Sequence, residues 1–222
     1  MKRSLLLIPA LLLGSSAAMA QSSVTLYGLV DLGVGKLDGG KVQMTGSGLL
    51  NNTDSHIGLK GTEDLGGNLK AGFNFEQGIQ AKTGGIVDNG WTREANVWLG
   101  GDFGTFKMGR ARTVSYWGYA AWEITGNANY SAVANTYGIV GAGERSNSQF
   151  QYSTPDFGGF QANLGYVFKA DNANAAKYDL SATYLNGPVA VGASYNKTQG
   201  SKANWAVGGK YTFGNFALAT SY

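Results

Sequence analysis

The chain has 222 residues, of which 35 are glycine, 3 proline and none cysteine, and it is 12% aromatic but only 14% charged. No disulfide scaffold is possible without cysteine, the glycines lack the three-residue period of collagen, and this many aromatics with so little net charge argue against disorder. Of 17 basic and 14 acidic residues, Lys2 and Arg3 fall in an N-terminal leader, which leaves 15 against 14 with no basic run and disfavours a nucleic-acid partner.

Met1–Ala20 reads as a secretory signal peptide. Lys2 and Arg3 form its positive region, Leu5–Leu13 an apolar stretch interrupted by Pro9, and Ala18-Met19-Ala20 a small-x-small cleavage site before Gln21. An uncleaved anchor is the alternative, but the stretch is too short, since a helix needs about 20 apolar residues to cross a bilayer. No second apolar run of that length follows, so any insertion into a membrane uses strands.

From Gln21 onward the dominant period is two. Leu69, Ala71, Phe73 and Phe75 face one way, with Lys70, Asn74 and Glu76 on the other. In the Arg93–Leu99 stretch the parity is open, because Ala95, Val97 and Leu99 fit either face with Asn96 and Trp98 opposite, and a subunit contact would suit it. Phe160, Ala162, Leu164, Tyr166 and Phe168 then alternate with Gln161, Asn163, Gly165 and Val167. Tyr178–Tyr184, Val189–Asn196 and Asn204–Phe213 repeat the pattern. Strands are expected to start near Ser23, Ser55, Leu69, Arg93, Thr105, Ser148, Phe160, Lys177, Val189, Asn204 and Phe216, eleven in all, with no helical pattern of useful length.

Short turns at Asp64–Asn68, Gly100–Gly104, Pro155–Gly159, Asn186-Gly187-Pro188 and Gly214-Asn215 alternate with longer connections, about Leu37–Asp54, Gln80–Thr92, Thr113–Asn147, Ala170–Ala176 and Thr198–Ala203. The polar face is small and neutral, and aromatics recur at strand ends on the apolar side. Those are the marks of an antiparallel transmembrane β-barrel. A secreted glycine-rich sandwich or solenoid is the competing all-β reading.

Four stretches carry a family resemblance. Ser23-Val24-Thr25-Leu26-Tyr27-Gly28-Leu29-Val30-Asp31 resembles the opening strand of the general diffusion porins of Gram-negative bacteria, in their β-proteobacterial version. Ser55–Ala71 resembles the second and third strands with their tight turn. Thr92-Arg93-Glu94-Ala95 followed by Gly101–Arg110 is similar to the fourth and fifth, and Arg145–Pro155 with Phe157–Phe160 to the sixth and its turn. The resemblance runs from about residue 21 to the end. It implies a sixteen-stranded outer-membrane barrel, usually a homotrimer in the lipid bilayer, that passes ions and small hydrophilic solutes passively, without cofactor or metal. Residues 21–222 would then be the N-terminal part of the barrel domain, an incomplete barrel. Eleven is an odd strand count, whereas single-chain bacterial barrels have even counts, so the chain by itself is not expected to conduct.

The family's third extracellular loop folds into the lumen; here that is Thr113–Asn147, a 35-residue connection that a compact barrel would not keep idle. Tyr116, Trp117, Tyr119 and Trp122 suit packing against a wall, and Glu123 or Glu144 would present carboxylates to water. By resemblance, Arg93 and Arg145 belong to an inward basic ladder facing those carboxylates across a transverse field. For each arginine the alternative is a rim or interface ion pair, and Arg110 and Arg112, at the root of the loop, fit either role. Rings of basic side chains favour anions. His56 stands where the family commonly places another arginine of the ladder.

Enzyme readings are thin. There is no HExxH or GxSxG motif, a triad would have to use His56, the adjacent carboxylates Glu63-Asp64 sit in a turn, and Gly141-Ala142-Gly143 lacks the Lys-Ser/Thr of a phosphate loop. A non-conducting outer-membrane or secreted β protein of adhesion or scaffolding is the remaining alternative. Histidine is the side chain whose charge ordinarily changes between pH 5 and 8. Anion preference of the reconstituted channel is therefore expected to strengthen as pH falls across that range. Reversal potentials check it: a flat profile, or one unchanged in His56→Ala, overturns the role given to His56.

Overall fold

In the computed structural model, residues 23–137 and 143–222 are described. The leader read at residues 1–20 lies outside them. Period-two segments form the strands β1 (Ser23–Leu29), β2 (Gly33–Gly35), β3 (Gln43–Thr45), β4 (His56–Gly66), β5 (Leu69–Gln80), β6 (Gly85–Ile86), β7 (Glu94–Gly101), β8 (Gly104–Arg112), β9 (Arg145–Ser153), β10 (Phe160–Val167), β11 (Lys177–Asn186), β12 (Val189–Thr198), β13 (Asn204–Phe213) and β14 (Phe216–Ser221). The main sheet has 12 strands; β6 only flanks β5, which leaves eleven in the unbroken antiparallel order β1-β4-β5-β7-β8-β9-β10-β11-β12-β13-β14. Strands β2 and β3 form a separate small hairpin in the first long connection. Among the described residues the sheet does not close: β1 pairs only with β4, and β14 only with β13. The expected all-β incomplete barrel is what the chain forms.

Which side is buried settles the class. Leu180 is 42% exposed while its neighbours Asp179 and Ser181 are 5% and 7%. Val97 and Leu99 are exposed and Asn96 is buried, so the open parity of β7 resolves with its apolar side outward. Asn163, Ser194 and Asn196 are buried, whereas Val191, Tyr195, Trp205, Val207 and Tyr211 are exposed. A soluble sandwich would do the reverse. Strands of 10 to 12 residues (β5 and β11–β13) match the roughly 9–11 residues that a tilted strand needs to cross a bilayer. Among the described residues no helix is long and apolar enough to cross one.

Two details differ from the sequence expectation. Strand β9 starts at Arg145, three residues before Ser148. Gly109 pairs with Gln149 but Ala111 with Ser146, so Asn147 and Ser148 together face Arg110. This bulge puts Ser148 at φ 48° and breaks the alternation that would have shown the true start. The connection Thr113–Glu144 also holds two helices, α1 (Val114–Ala120) and α2 (Ala132–Tyr137). Each is below the length at which a helix is stable alone, so their amphipathic period is too brief to read and the wall of the sheet sustains them.

That connection folds against the inner face of β10–β13. At the start of α1, the Ser115 N–H donates to Asp179 (3.1 Å) and Ser194 Oγ donates to the Ser115 carbonyl (2.7 Å). Gly118 lies directly on Gly192, where a Cβ would overlap the Gly118 carbonyl oxygen, and the Trp122 indole covers Gly208. Tyr116, Tyr119 and Trp122 form the core of the loop.

Glu123 then organises the next turn. Its carboxylate accepts hydrogen bonds from Thr125 N (2.7 Å), Asn127 N (2.7 Å), Ser131 Oγ (2.8 Å) and the Thr125 hydroxyl. Lys210 Nζ donates to its main-chain carbonyl (2.9 Å). Burial alone would push the Glu123 carboxyl up, but these donors, Thr125 first, outweigh burial and hold it below the usual carboxylate range.

Gly192→Leu is expected to lift α1 from the wall at a cost of about 1–3 kcal/mol. Chymotrypsin cleavage after Trp117 or Tyr119 in the detergent-folded protein should accelerate, with the heat-modifiable gel shift of the sheet retained. Because Glu123 is depressed in the folded state, its stabilisation is complete above the ordinary carboxylate pKa and is lost as pH falls through the depressed value. Loop protection, followed by tryptophan emission, should thus hold from pH 8 to 5 and fail only in stronger acid. In Glu123→Gln that acid step should vanish.

Candidate functional site

On the inner face, the loop-side ends of β4, β5, β7, β8 and β9 bring charged side chains into two neighbouring groups. Cross-strand register dictates the first: Tyr27 pairs with Gly58, Gly58 with Glu76, and Glu76 with Glu94. Glu76 is its centre. The Tyr27 hydroxyl donates to Glu76 Oε2 (3.0 Å), Arg93 Nε donates to Oε1, and His56 Nε2 lies 3.8 Å from Oε2. The side chains of His56, Glu76 and Arg93 are 14%, 12% and 11% exposed, so the pairing is largely shielded from water. Glycine at position 58 matters here, because a Cβ would strike the Tyr27 ring. The His56 ring is fixed from behind by the Asp54 carbonyl, 2.9 Å from Nδ1.

The second group sits where the long connection leaves and rejoins the sheet. Arg112 pairs with Arg145 across β8 and β9, and Glu144 bridges both: Arg112 Nη1 contacts Oε1 and Arg145 Nη1 lies 3.1 Å from Oε2. Arg112 also stacks on the Tyr116 ring at 4.0 Å, which ties the root of the connection to α1. Glu94 accepts from Asn96 Nδ2 (2.6 Å) and from the Arg112 main-chain N–H (3.4 Å). Among the described residues Arg110 has only neutral partners, the Thr92 carbonyl and Asn147 Oδ1. Arg93, Arg110 and Arg145 share a cavity of about 540 Å³ with Lys82, Asp54 and Asp88.

The structure therefore gathers His56, Arg93, Arg110, Arg112, Arg145 and Glu144, and separates Glu123 from them. Glu123 does not offer a carboxylate to water as its place in the loop suggested: it is 4% exposed and occupied by its own turn. Glu144 is exposed but lies beside the arginines rather than across from them. The carboxylates facing Arg93 and Arg112 from the wall are Glu76 and Glu94. Sequence alternation had put Glu76 on the polar side without marking it. Its signal is positional, an acidic residue two residue pairs along from the His56 row on the adjacent strand, and so on the same face.

Sequence comparisons extend the picture. A family model described as Gram-negative porin matches residues 7–222. Outer membrane porin protein 32 of Delftia acidovorans is 38% identical over 198 residues, covering 86% of this chain and 56% of its own length. A major outer membrane protein P.IB of Neisseria meningitidis serogroup B is 32% identical, covering 89% of this chain and 60% of its own. The chain thus spans a little over half the length of these relatives. Among solved structures, an anion-selective porin from Comamonas acidovorans superimposes with a TM-score of 0.73 at 30% identity, over 90% of this chain and 67% of that one. With an outward apolar sheet, an inward loop and a match over nearly its whole length, the chain belongs to the Gram-negative porin family.

Proposed function

We propose that the chain forms the lumen wall and constriction of an outer-membrane channel for passive diffusion of ions and small hydrophilic solutes, with a preference for anions. His56, Arg93, Arg110, Arg112 and Arg145 line the narrow part, with Glu144 at the root of the loop as the carboxylate among them. Residues 1–20 serve as the export leader, the loop over about 113–147 narrows the lumen, and Glu123 contributes by stiffening it. The barrel assembles as a homotrimer in the bilayer.

The observation that carries this reading is the sign of the charge in the cavity at the loop-side ends of β5, β7, β8 and β9. The 540 Å³ cavity is lined by Arg93, Arg110, Arg145 and Lys82 against Asp54 and Asp88, four cations to two carboxylates. In a narrow, partly dehydrated passage such fixed charge raises the local concentration of the opposite ion. The related Comamonas porin is described as anion-selective, which agrees in direction. Glu76 and Glu144 lower the net charge, yet they also keep the guanidinium groups in place, and Arg110 keeps its charge without a carboxylate partner.

The test is the reversal potential of protein extracted from outer membranes and inserted into planar bilayers under a salt gradient. Anion preference is expected in the parent. Replacing Arg93 and Arg145 together by glutamate should invert it, moving the anion-to-cation permeability ratio by about an order of magnitude. Absence of current from the folded, closed trimeric barrel, or cation preference in it, would sink the reading.

A further inference from the structure

The long connection is held at a second place, its tip. Its tip reaches the segment that precedes β4: Asn129 N donates to the Asn52 carbonyl (2.9 Å), Asn129 Nδ2 to Asp54 Oδ1 (3.0 Å), and the Tyr130 hydroxyl to Asn52 Oδ1 (3.0 Å). The 51–54 segment has no regular structure of its own, so something must fix its backbone before it can receive the tip. Asp31, just past the end of β1, does so. Asp31 Oδ1 accepts from Asn51 Nδ2 (2.8 Å), and Oδ2 accepts from the main-chain N–H groups of Asn52 (2.7 Å) and Thr53 (3.1 Å). Its own N–H donates to Ser55 Oγ (2.9 Å), and its carbonyl accepts from Asn51 Nδ2 (3.1 Å). Asn51 and Ser55 are 2% and 0% exposed, so the knot is dry at its centre. The same segment ends at Asp54, whose carbonyl holds the His56 ring.

We propose that Asp31 is a positioning residue for the constriction: its carboxylate sets the Asn51–Thr53 backbone in the conformation that clasps the loop tip at Asn129 and Tyr130 and orients His56. The proposal rests on the channel reading above and adds a residue that touches neither the loop nor the arginines. Three charge-assisted donors converge on one carboxylate, and such bonds are roughly twice as strong as neutral ones. The neighbouring contacts at the tip are neutral or singly charged. Asp31 is therefore the member whose loss frees the whole segment, while loss of a tip contact frees the tip alone. Those donors, Asn51 first and Thr53 next, hold the Asp31 carboxyl below the usual carboxylate range, so it stays ionised at neutral pH.

The chain has no cysteine, and Ala128, beside the tip, is 3% exposed. Ala128→Cys thus reports on the clasp: a charged, membrane-impermeant thiol reagent should label it slowly in the otherwise unchanged protein. Adding Asp31→Ala should raise the labelling rate roughly tenfold while the heat-modifiable gel shift of the folded sheet remains. The pair Asn129→Ala and Tyr130→Phe should raise it similarly, and the combination with Asp31→Ala should add little more, because all act on one clasp. Asp31→Asn keeps the acceptor for Asn51 but not the oxygen facing the two main-chain N–H groups. It should fall between, and it serves if Asp31→Ala fails to fold. In bilayers the Asp31 variants should show higher single-channel conductance and a lower anion-to-cation ratio than the parent, changes that a purely structural role would not produce. A conducting parent whose labelling or conductance is unchanged by a folded Asp31 variant refutes this proposal alone. A closed trimeric parent barrel that carries no current refutes the channel reading and this proposal with it.

Discussion

A sheet that meets hydrocarbon on one side and water on the other has no latitude in register. Its side chains alternate with a period of two, and a slip of one residue would turn every polar group into lipid. Everything else in the molecule depends on that inversion. Because Leu180 and Val207 face outward, Asp179, Ser181, Ser194 and Gly208 face inward, and only an inward polar wall gives the long connection something to bind. The small residues on that wall serve the same end. Gly192 lets the backbone of α1 approach to contact, and Gly208 makes room for the Trp122 indole. The energetic consequence is that the loop is docked by hydrogen bonds and close packing rather than by a large apolar core. The buried apolar cluster under it is just Tyr116, Tyr119 and Trp122.

The charged groups follow a different logic. A guanidinium left free in a narrow lumen keeps its hydration and its mobility, and it discriminates poorly. Pairing with a carboxylate fixes it but cancels charge. The arrangement divides these roles: Glu76 restrains Arg93 from the neighbouring strand, and Glu144 restrains Arg112 and Arg145 together. Arg110, held by a carbonyl and an amide, retains its full charge. One carboxylate shared between two arginines leaves a net positive site that is still rigid. With side chains only 11–14% exposed around Glu76, removing a single partner would strand its counterpart largely out of water.

Much of this was legible in the sequence, and the physical reason is the same constraint. Period two survives every local perturbation because lipid enforces it, so Phe160–Phe168 or Val189–Asn196 read as strands without ambiguity and the order of eleven strands emerges intact. What the alternation could not carry was anything that departs from it. The bulge at Asn147 and Ser148 hid the start of β9. Helices α1 and α2 exist through contacts with residues 60 or more positions away, such as Ser115 with Asp179. The charged side chains were found by type, but type does not choose partners. Glu123 and Glu144 are equivalent in sequence, two carboxylates in one loop, and the fold gives one to a turn and the other to two arginines.

That last distinction bears on where selectivity would reside in the proposed channel. Between Thr113 and Gly143 the chain has no lysine, arginine, histidine or aspartate, and Glu123 is its one ionisable acid. Glu123 is held within its own turn by neutral donors, so the single negative charge of the loop's body is buried apart from the arginines. The loop brings volume: aromatic rings against the wall, and a tip fastened to Asn52 and Asp54 on the far side. The strands bring the charge, on positions that register makes rigid. In the proposed channel, size and sign are therefore set by different parts of the molecule, and they meet at two places. One is Glu144 with Arg112 and Arg145, where the loop returns to the sheet. The other is the Asn51–Asp54 segment, which holds the loop tip with one end and the His56 ring with the other. In that channel a change at either place would alter the width of the passage and the placement of its charge together, whereas a change within α1 would alter width and leave the charge where the strands put it.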